Sequence, residues 1–592
     1  MRKWMKKWQG LIIWVVAIAF VVGMIWWSVA VIRNPEVENY TIEQAVAYLV
    51  KDGKPIERKD YWLMPWEIDD FYTNLINLYQ VSSLDTLFDE PRLKALIADA
   101  LLQQKVVLYY ADKNNVKPSS REVKKEIENT INAIKKDKNQ LSLIEKRYGS
   151  LARYQEKYLK PQILFQLTMK KVKEKVASVG EEKMKEYYEK NKERLQEEYD
   201  KVDLVGVSFE DREEAQKFLE KAKKEGFENA ASSLNLPTEP LSGVGRGYLP
   251  EDLENQVFSA TAGSIVGPYS LLNKWYVFKV TSSQVLSSYE NFASSDAYTT
   301  LKNQLEQEEL QAWLQRFLKE ERISYAFNDQ ALRYWWYYAA GRNYQNLNVE
   351  EAFRELESVL FKDGVFDAAV QDSLKSLYVL FLEDRINELT SETGRLSVYE
   401  DILKRGLEPD KDLVERFGKM SLEEVVAKKK ALEEEKQRLE KQREELVTHL
   451  YQIYPNSVYV VEKMYSIKPN DPKVRYDYFS TLYNAIKPLL SGSQDSSSYF
   501  NYLVQIMLNL YTLASSTNVP TDIRVESYYL LYDMSLLLKD ATSAELYVEE
   551  MKKLKPDFMD YEVAYNQIES LKKELQTLSA TETNIATESS GK

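Results

Sequence analysis

The 592-residue chain contains no cysteine and a single histidine, His449. Disulfides, thiolate or imidazole zinc sites, Cys–His pairs and Ser-His-Asp triads are thereby excluded before any motif is sought. Carboxylate, hydroxyl or lysine chemistry remains, or none at all, and neither a cofactor nor a metal is expected. The missing cysteine does not by itself fix the redox compartment, since disulfide-free proteins occur on both sides of a membrane. Positive charge is also short. Lys and Arg number 79 against 92 Asp and Glu, for a net charge of −13, which argues against the basic track that a nucleic-acid partner requires. With 44% hydrophobic residues over this length, several domains are expected.

The one long uncharged stretch lies near the start. Leu11 to Val31 reads LIIWVVAIAFVVGMIWWSVAV, and as a helix it spans about 31 Å, the thickness of a bilayer hydrocarbon core. Arg2, Lys3, Lys6 and Lys7 precede it and only Arg33 follows closely. The positive-inside rule then places the N-terminus in the cytoplasm and the bulk of the chain outside. A cleaved signal peptide ending at Ser28-Val29-Ala30 is the competing reading, but the apolar run is too long for a signal h-region. Residues 1–33 are read as a cytoplasmic stub with a single-pass anchor, followed by an acidic extracytoplasmic or periplasmic body.

Beyond the anchor, AYLVKDGKPIERKDYWL alternates apolar residues around Asp52-Gly53, a dipeptide suited to a tight hairpin turn. Helical periodicity begins after Pro91 and runs to about Glu197, with Ser119 or Ser120 as an N-cap. Residues 200–283 differ in kind. KVDLVGVSF (201–209) reads as a strand, residues 213–234 as one or two helices, and NKWYVFKV (273–280) as a second strand after a Gly/Pro-rich stretch. Helix resumes near Ser287 and, after Asn328, continues to about Leu578 in segments that end in Lys-Pro, as tetratricopeptide-like pairs do. SGSQDSSS (491–498) reads as a loop and residues 579–592 as a disordered tail. The fold class is therefore mainly α with a small inserted α+β domain.

Several tempting features carry no chemistry. His449 stands alone on a charged helix and is assigned no role. Glu251/Asp252 and Glu433/Glu434/Glu435 are read as solvated faces. Val425, Leu432, Leu439 and Leu446 recur every seven residues, but Lys429, Lys436 and Arg443 occupy the alternate positions, so a long helix packing one stripe on a neighbour is expected instead of a coiled coil. The 41 tyrosines and 11 tryptophans can serve either as contact surface for unfolded chains or as helix packing.

The order of these parts resembles the extracytoplasmic parvulin-type foldases, the SurA, PpiD and PrsA group. DGKPIERKDY is similar to the family's opening stretch, residues 92–131 to its chaperone-domain helices, and EEKMKEYYEKNKERL (181–195) to its linker helix. GRGYLPEDLENQVFSATAGSIVGPYSLLNKWYVFKV (245–280) resembles the second half of the parvulin module. The single anchor resembles the membrane-bound PpiD branch.

The resemblance implies a SurA-like N-terminal chaperone domain over 34–198 and a parvulin-like domain over 199–285. A returning helix over 286–328 then completes the chaperone domain, and TPR-like helical hairpins fill 329–578. It also implies a peptide-binding pocket at Leu249, Leu253, Phe258 and Tyr276, with Phe258 more readily read as plain core and Leu249 and Tyr276 readable either way. Tyr276 falls where the family has its second active-site histidine. The first would stand within two residues of Gly206, where no histidine occurs. The polar Cys or Asp of the family falls in LPTEPLSGVG (236–245), which holds neither.

The expectation is a membrane-anchored periplasmic chaperone whose parvulin-like domain is non-catalytic. Its expected partners are unfolded or nascent exported polypeptides, with the secretion channel or another inner-membrane complex as a further partner. An active prolyl isomerase with an atypical pocket and a TPR-type adaptor of a membrane complex are the alternatives.

Overall fold

The computed structural model describes residues 40–78, 85–271, 273–341, 344, 348–362, 364–492 and 497–589. The expected anchor at 11–31 lies outside them, as does the centre of the loop expected at 491–498. Among the described residues no helix is long and apolar enough to cross a membrane.

The hairpin forms as the sequence indicates. β1 (Ala47–Lys51) turns through Asp52 and Gly53, both at positive φ, into β2 (Lys54–Pro55). β3 (Trp62–Leu63) pairs with the other edge of β1, Ala47 opposite Leu63. Tyr48 and Trp62 face each other across that pair, and Trp62 donates its indole N–H to the Ile56 carbonyl at 3.0 Å.

The chain divides into two compact units, Val106–Ser324 and the flanking Met1–Lys105 with Tyr325–Lys592. The division falls inside one helix, Asp89–Lys113. In the inner unit Tyr110 packs edge-on against Trp313 and Phe317, with ring centroids 5.0 and 5.2 Å away.

Within the inner unit, helix Ser120–Lys136 starts at a capping box. The Ser119 hydroxyl accepts from Glu122 N at 3.2 Å while the Glu122 carboxylate accepts from Ser119 N at 2.6 Å. Gly149, at positive φ, ends helix Lys138–Tyr148. Helix Glu181–Tyr199 leads into the small sheet and helix Asp296–Glu321 leaves it. The two flanks share one core, in which Tyr188 stacks on Phe292 at 5.3 Å beside Met184, Leu195 and Leu301. The returning helix is tied to helix Lys160–Val176 by Lys173–Glu306 at 3.0 Å.

The small sheet is antiparallel in the order β5-β4-β7-β6: β4 (Lys201–Phe209), β5 (Glu239–Gly245), β6 (Ile265–Leu271) and β7 (Lys274–Gln284). Helices Arg212–Glu225 and Phe227–Ser233, separated by Gly226 at positive φ, cover one face through Phe218 and Phe227. Helix Glu251–Ser259 covers the other.

After the inner unit the chain returns as β8 (Ile323–Phe327), which pairs with β1. The sequence did not mark this strand. Asn328 fixes the return by donating its side-chain amide to the carbonyls of Ile42 and Ala45, each at 2.8 Å. From Gln330 onward the outer unit is helical. Helices Ala368–Lys404 and Leu422–Ile453 pack together, the second burying Val425, Leu439 and Leu446 as the seven-residue stripe required. Helices from Val458 to Ser589 then stack around Tyr483, Leu503, Leu510, Leu531 and Met551. The last helix, Tyr561–Ser589, covers most of the expected disordered tail. Hydroxyl side chains do not prevent this: Thr577 donates back to the Lys573 carbonyl at 2.9 Å, within the helix.

These C-terminal helices share a unit with the N-terminal segment instead of standing apart from it. Phe88 stacks on Tyr459 at 4.2 Å and meets Trp335 edge-on at 5.4 Å, and the Ser376 hydroxyl donates to the Leu87 carbonyl at 3.3 Å. Phe88→Ala is therefore expected to cost about 3–5 kcal/mol. In urea unfolding followed by hydrogen exchange, protection in Val458–Ile467 should fall together with that of helix Asp89–Lys113. Unchanged protection in Val458–Ile467 would mean that the two fold separately.

Candidate peptide-binding site

The four residues singled out in the sequence converge on the sheet face beneath helix Glu251–Ser259. Leu253, Val257 and Phe258 point from the helix into a cluster with Val202, Leu204, Phe278 and Val280, and Leu249 and Tyr276 pack against it half-buried. Leu253 and Phe258 are buried, at 0% and 5% exposure, so they form the floor, while Leu249 and Tyr276 reach the surface. The helix carries Glu251, Asp252 and Glu254 in its first turn, where carboxylates suit the positive end of the helix dipole. Glu254 accepts from Gly247 N at 2.5 Å and so fixes the turn that presents Tyr248 and Leu249.

The sheet register shows what surrounds Gly206, the position near which the resemblance would put the family's first histidine. Gly206 lies opposite Phe278, and Ser208 opposite Tyr276. A Cβ built on Gly206 would meet the Phe278 ring at 2.8 Å and the Tyr276 ring at 3.7 Å. Those two rings stack 5.6 Å apart and nearly parallel. The space above Gly206 is thus filled by aromatic carbon contributed from β7. Glycine is required there because any side chain, imidazole included, would displace a buried Phe.

Two polar groups at the site were not singled out in the sequence. Arg246 holds its guanidinium 4.5 Å from the Phe258 ring centroid, and its Nε donates to Asp200 at 2.8 Å. Asp200, fully buried, also accepts from Leu286 N at 2.7 Å. This carboxylate therefore ties the start of β4 to the end of β5 and to the exit from β7. The Gly-Arg-Gly at 245–247 was the available signal. Tyr269, opposite Tyr276 in the β6–β7 pair, has its hydroxyl pKa raised by burial and secondarily by the Asp252 carboxylate. Gly267, at φ +124, permits the bulge before Tyr269, since a Cβ there would lie 2.8 Å from the Tyr276 carbonyl.

Chemically, the site is an apolar, aromatic surface rimmed by Tyr269 and Tyr276. It can hold a proline ring or another apolar side chain by burial and dispersion, but it presents no imidazole, thiol or buried free carboxylate to a bound peptide bond. Gly206→Ala should cost about 1–3 kcal/mol in urea unfolding of the full chain, and clearly less in a Phe278→Leu background, where the ring is gone. Additive losses would mean that the Phe278 ring does not occupy this space.

Residues 179–294 match the family model described as the PPIC-type PPIase domain. No curated protein matches the sequence. Among solved structures, the peptidylprolyl isomerase PrsA of Bacillus anthracis is 22% identical, covering 38% of this chain and 96% of its own, with a TM-score of 0.15. A structure reported for the SurA-like chaperones PEB4 and Cj1289 of Campylobacter jejuni is 14% identical over 48% of this chain and 98% of its own, with a TM-score of 0.20. The foldase PrsA of Lactococcus lactis is 14% identical over 50% and 99%, with a TM-score of 0.21. At these scores the solved structures carry no weight beyond their similarity, whereas the family match covers the sheet, its helices and the helix Glu181–Tyr199 that leads into it. Over residues 179–294 the chain is thus similar to the PPIC-type PPIase domain.

Proposed function

We propose that the protein is a membrane-anchored extracytoplasmic chaperone that binds unfolded or nascent exported polypeptides, with a parvulin-type domain that holds peptide without isomerising it. The observation that supports this reading is the Phe278 ring over Gly206. Isomerising an X–Pro bond means lowering a barrier of about 18–20 kcal/mol, which an enzyme achieves by stabilising the twisted amide more than the planar one. A pocket with aromatic carbon where the family has one imidazole, and a tyrosine where it has the other, keeps the apolar contribution to binding. It loses the groups that act selectively on the twisted state.

The anchor read at residues 11–31 would hold this activity at the inner membrane, where chains emerge from the secretion channel. The channel or a neighbouring membrane complex is the expected docking partner. The TPR-like helices from Val458 onward would contribute to that docking.

The test uses the full chain in detergent. Isomerisation of a proline tetrapeptide should proceed at the buffer rate, while a stoichiometric amount of protein should suppress aggregation of an unfolded outer-membrane protein. Leu249→Asp and Tyr276→Ala should each weaken that suppression several-fold, because each removes apolar surface at the mouth of the pocket. A proline turnover above buffer that disappears in Tyr276→Ala would establish an active isomerase instead. Undiminished aggregation of the client would leave the adaptor reading in its place.

A further inference from the structure

The sheet face that carries the candidate pocket has a charge pattern that its apolar contacts do not require. In an antiparallel pair, residues opposite one another point to the same side. Glu239 on β5 lies opposite Gly206, and Tyr276 lies between Ser208 on β4 and Tyr269 on β6. Glu239 therefore stands on the face of Tyr276 and Tyr269, at its β5 edge. On the β6 side, the Asp252 carboxylate in the first turn of the covering helix acts on the Tyr269 hydroxyl, second only to burial in raising its pKa. At the end of the face Lys274, opposite Leu271, pairs with Glu210 at 3.2 Å.

Three carboxylates from three different elements thus surround the half-buried tyrosines, with one ammonium among them. Lys274 is committed to Glu210, and Arg246 is held by Asp200 at 2.8 Å. Glu239 and Asp252, both exposed, leave the two flanks of the aromatic surface negative. A peptide lying across Tyr276 and Tyr269 carries the neighbours of its buried residue to within a Debye length, about 8–10 Å, of these carboxylates. A lysine or arginine at those positions is attracted, and a glutamate or aspartate is repelled.

We propose that the site selects client segments in which an apolar or aromatic residue is flanked by lysine or arginine, and rejects acidic ones, with Glu239 and Asp252 as the selecting residues. This rests on the peptide-binding reading above and names the class of segment that the same site takes. Burial on the tyrosines supplies the binding, and the carboxylates supply the choice between segments of equal apolar content.

Fluorescence anisotropy of the full chain in a nonionic detergent tests the selection, with three dye-labelled peptides that carry a central Phe-Pro flanked by Lys, by Ser or by Glu. The Lys-flanked peptide should bind several-fold more tightly than the Ser-flanked one, and the Glu-flanked peptide more weakly. This ranking should shrink in about 0.5 M salt. It should also collapse when Glu239→Gln and Asp252→Asn are combined, each single exchange removing part of it. Tyr276→Ala reads the underlying site and should weaken all three peptides. Ser-flanked binding that Tyr276→Ala weakens, but with no ranking by flanking charge or with one that the double variant keeps, would overturn the selection and leave the peptide-binding reading standing. A Ser-flanked peptide that is not bound, or is bound equally well by Tyr276→Ala, would overturn both.

Discussion

Everything in this structure depends on closing the outer unit across a long insertion. Tyr344 reaches Asp99 over 245 positions and Trp336 reaches it over 237, and β8 must find β1 across a similar span. Loop-closure entropy grows only slowly with length, so the cost of such a span is modest if the loop is already compact. The inner unit meets that condition, because its own core links the helix entering the small sheet to the helix leaving it through Tyr188 and Phe292. The apolar and hydrogen-bonded contacts at Phe88, Asp99 and Asn328 then close the outer one.

The same logic of filled space governs the parvulin-type module. Its sheet is intact, its covering helix is seated by Leu253, Val257 and Phe258, and Asp200 with Arg246 locks the strand ends. The Phe278 ring fills the space over position 206 and favours glycine there, so any side chain introduced at that position would meet the ring first.

How much of this was legible in the sequence varied with how local the cause was. The Asp52-Gly53 turn, the Ser119 cap, the limits of β4 and the break at Gly226 were readable because neighbouring residues determine them. The clustering of Leu249, Leu253, Phe258 and Tyr276 came from the resemblance and not from local periodicity, since only Leu253 and Phe258 lie on the helix Glu251–Ser259. β5 was missed because EPLSGVG carries the composition of a loop; it is an edge strand, exposed along most of its length, where Pro and Gly are tolerated. The division inside helix Asp89–Lys113 and the return strand β8 were not legible. Each depends on a partner far away in sequence, and local periodicity holds no record of it.

The tyrosines change meaning most between sequence and structure. In an acidic chain they offered themselves as adaptable surface for clients, yet many are spent as hydrogen-bond donors to carboxylates: Tyr344 to Asp99, Tyr378 to Glu357, Tyr454 to Asp372 and Tyr483 to Asp533. A phenol supplies a proton and a large apolar ring at once, so a helix–helix contact can satisfy a partly buried carboxylate without importing a lysine. That accounts for how a chain with more acids than bases packs long helices closely. Tyr248 differs: it is 84% exposed and stands next to Leu249 at the candidate site, so the proposed client contact is to be sought there first.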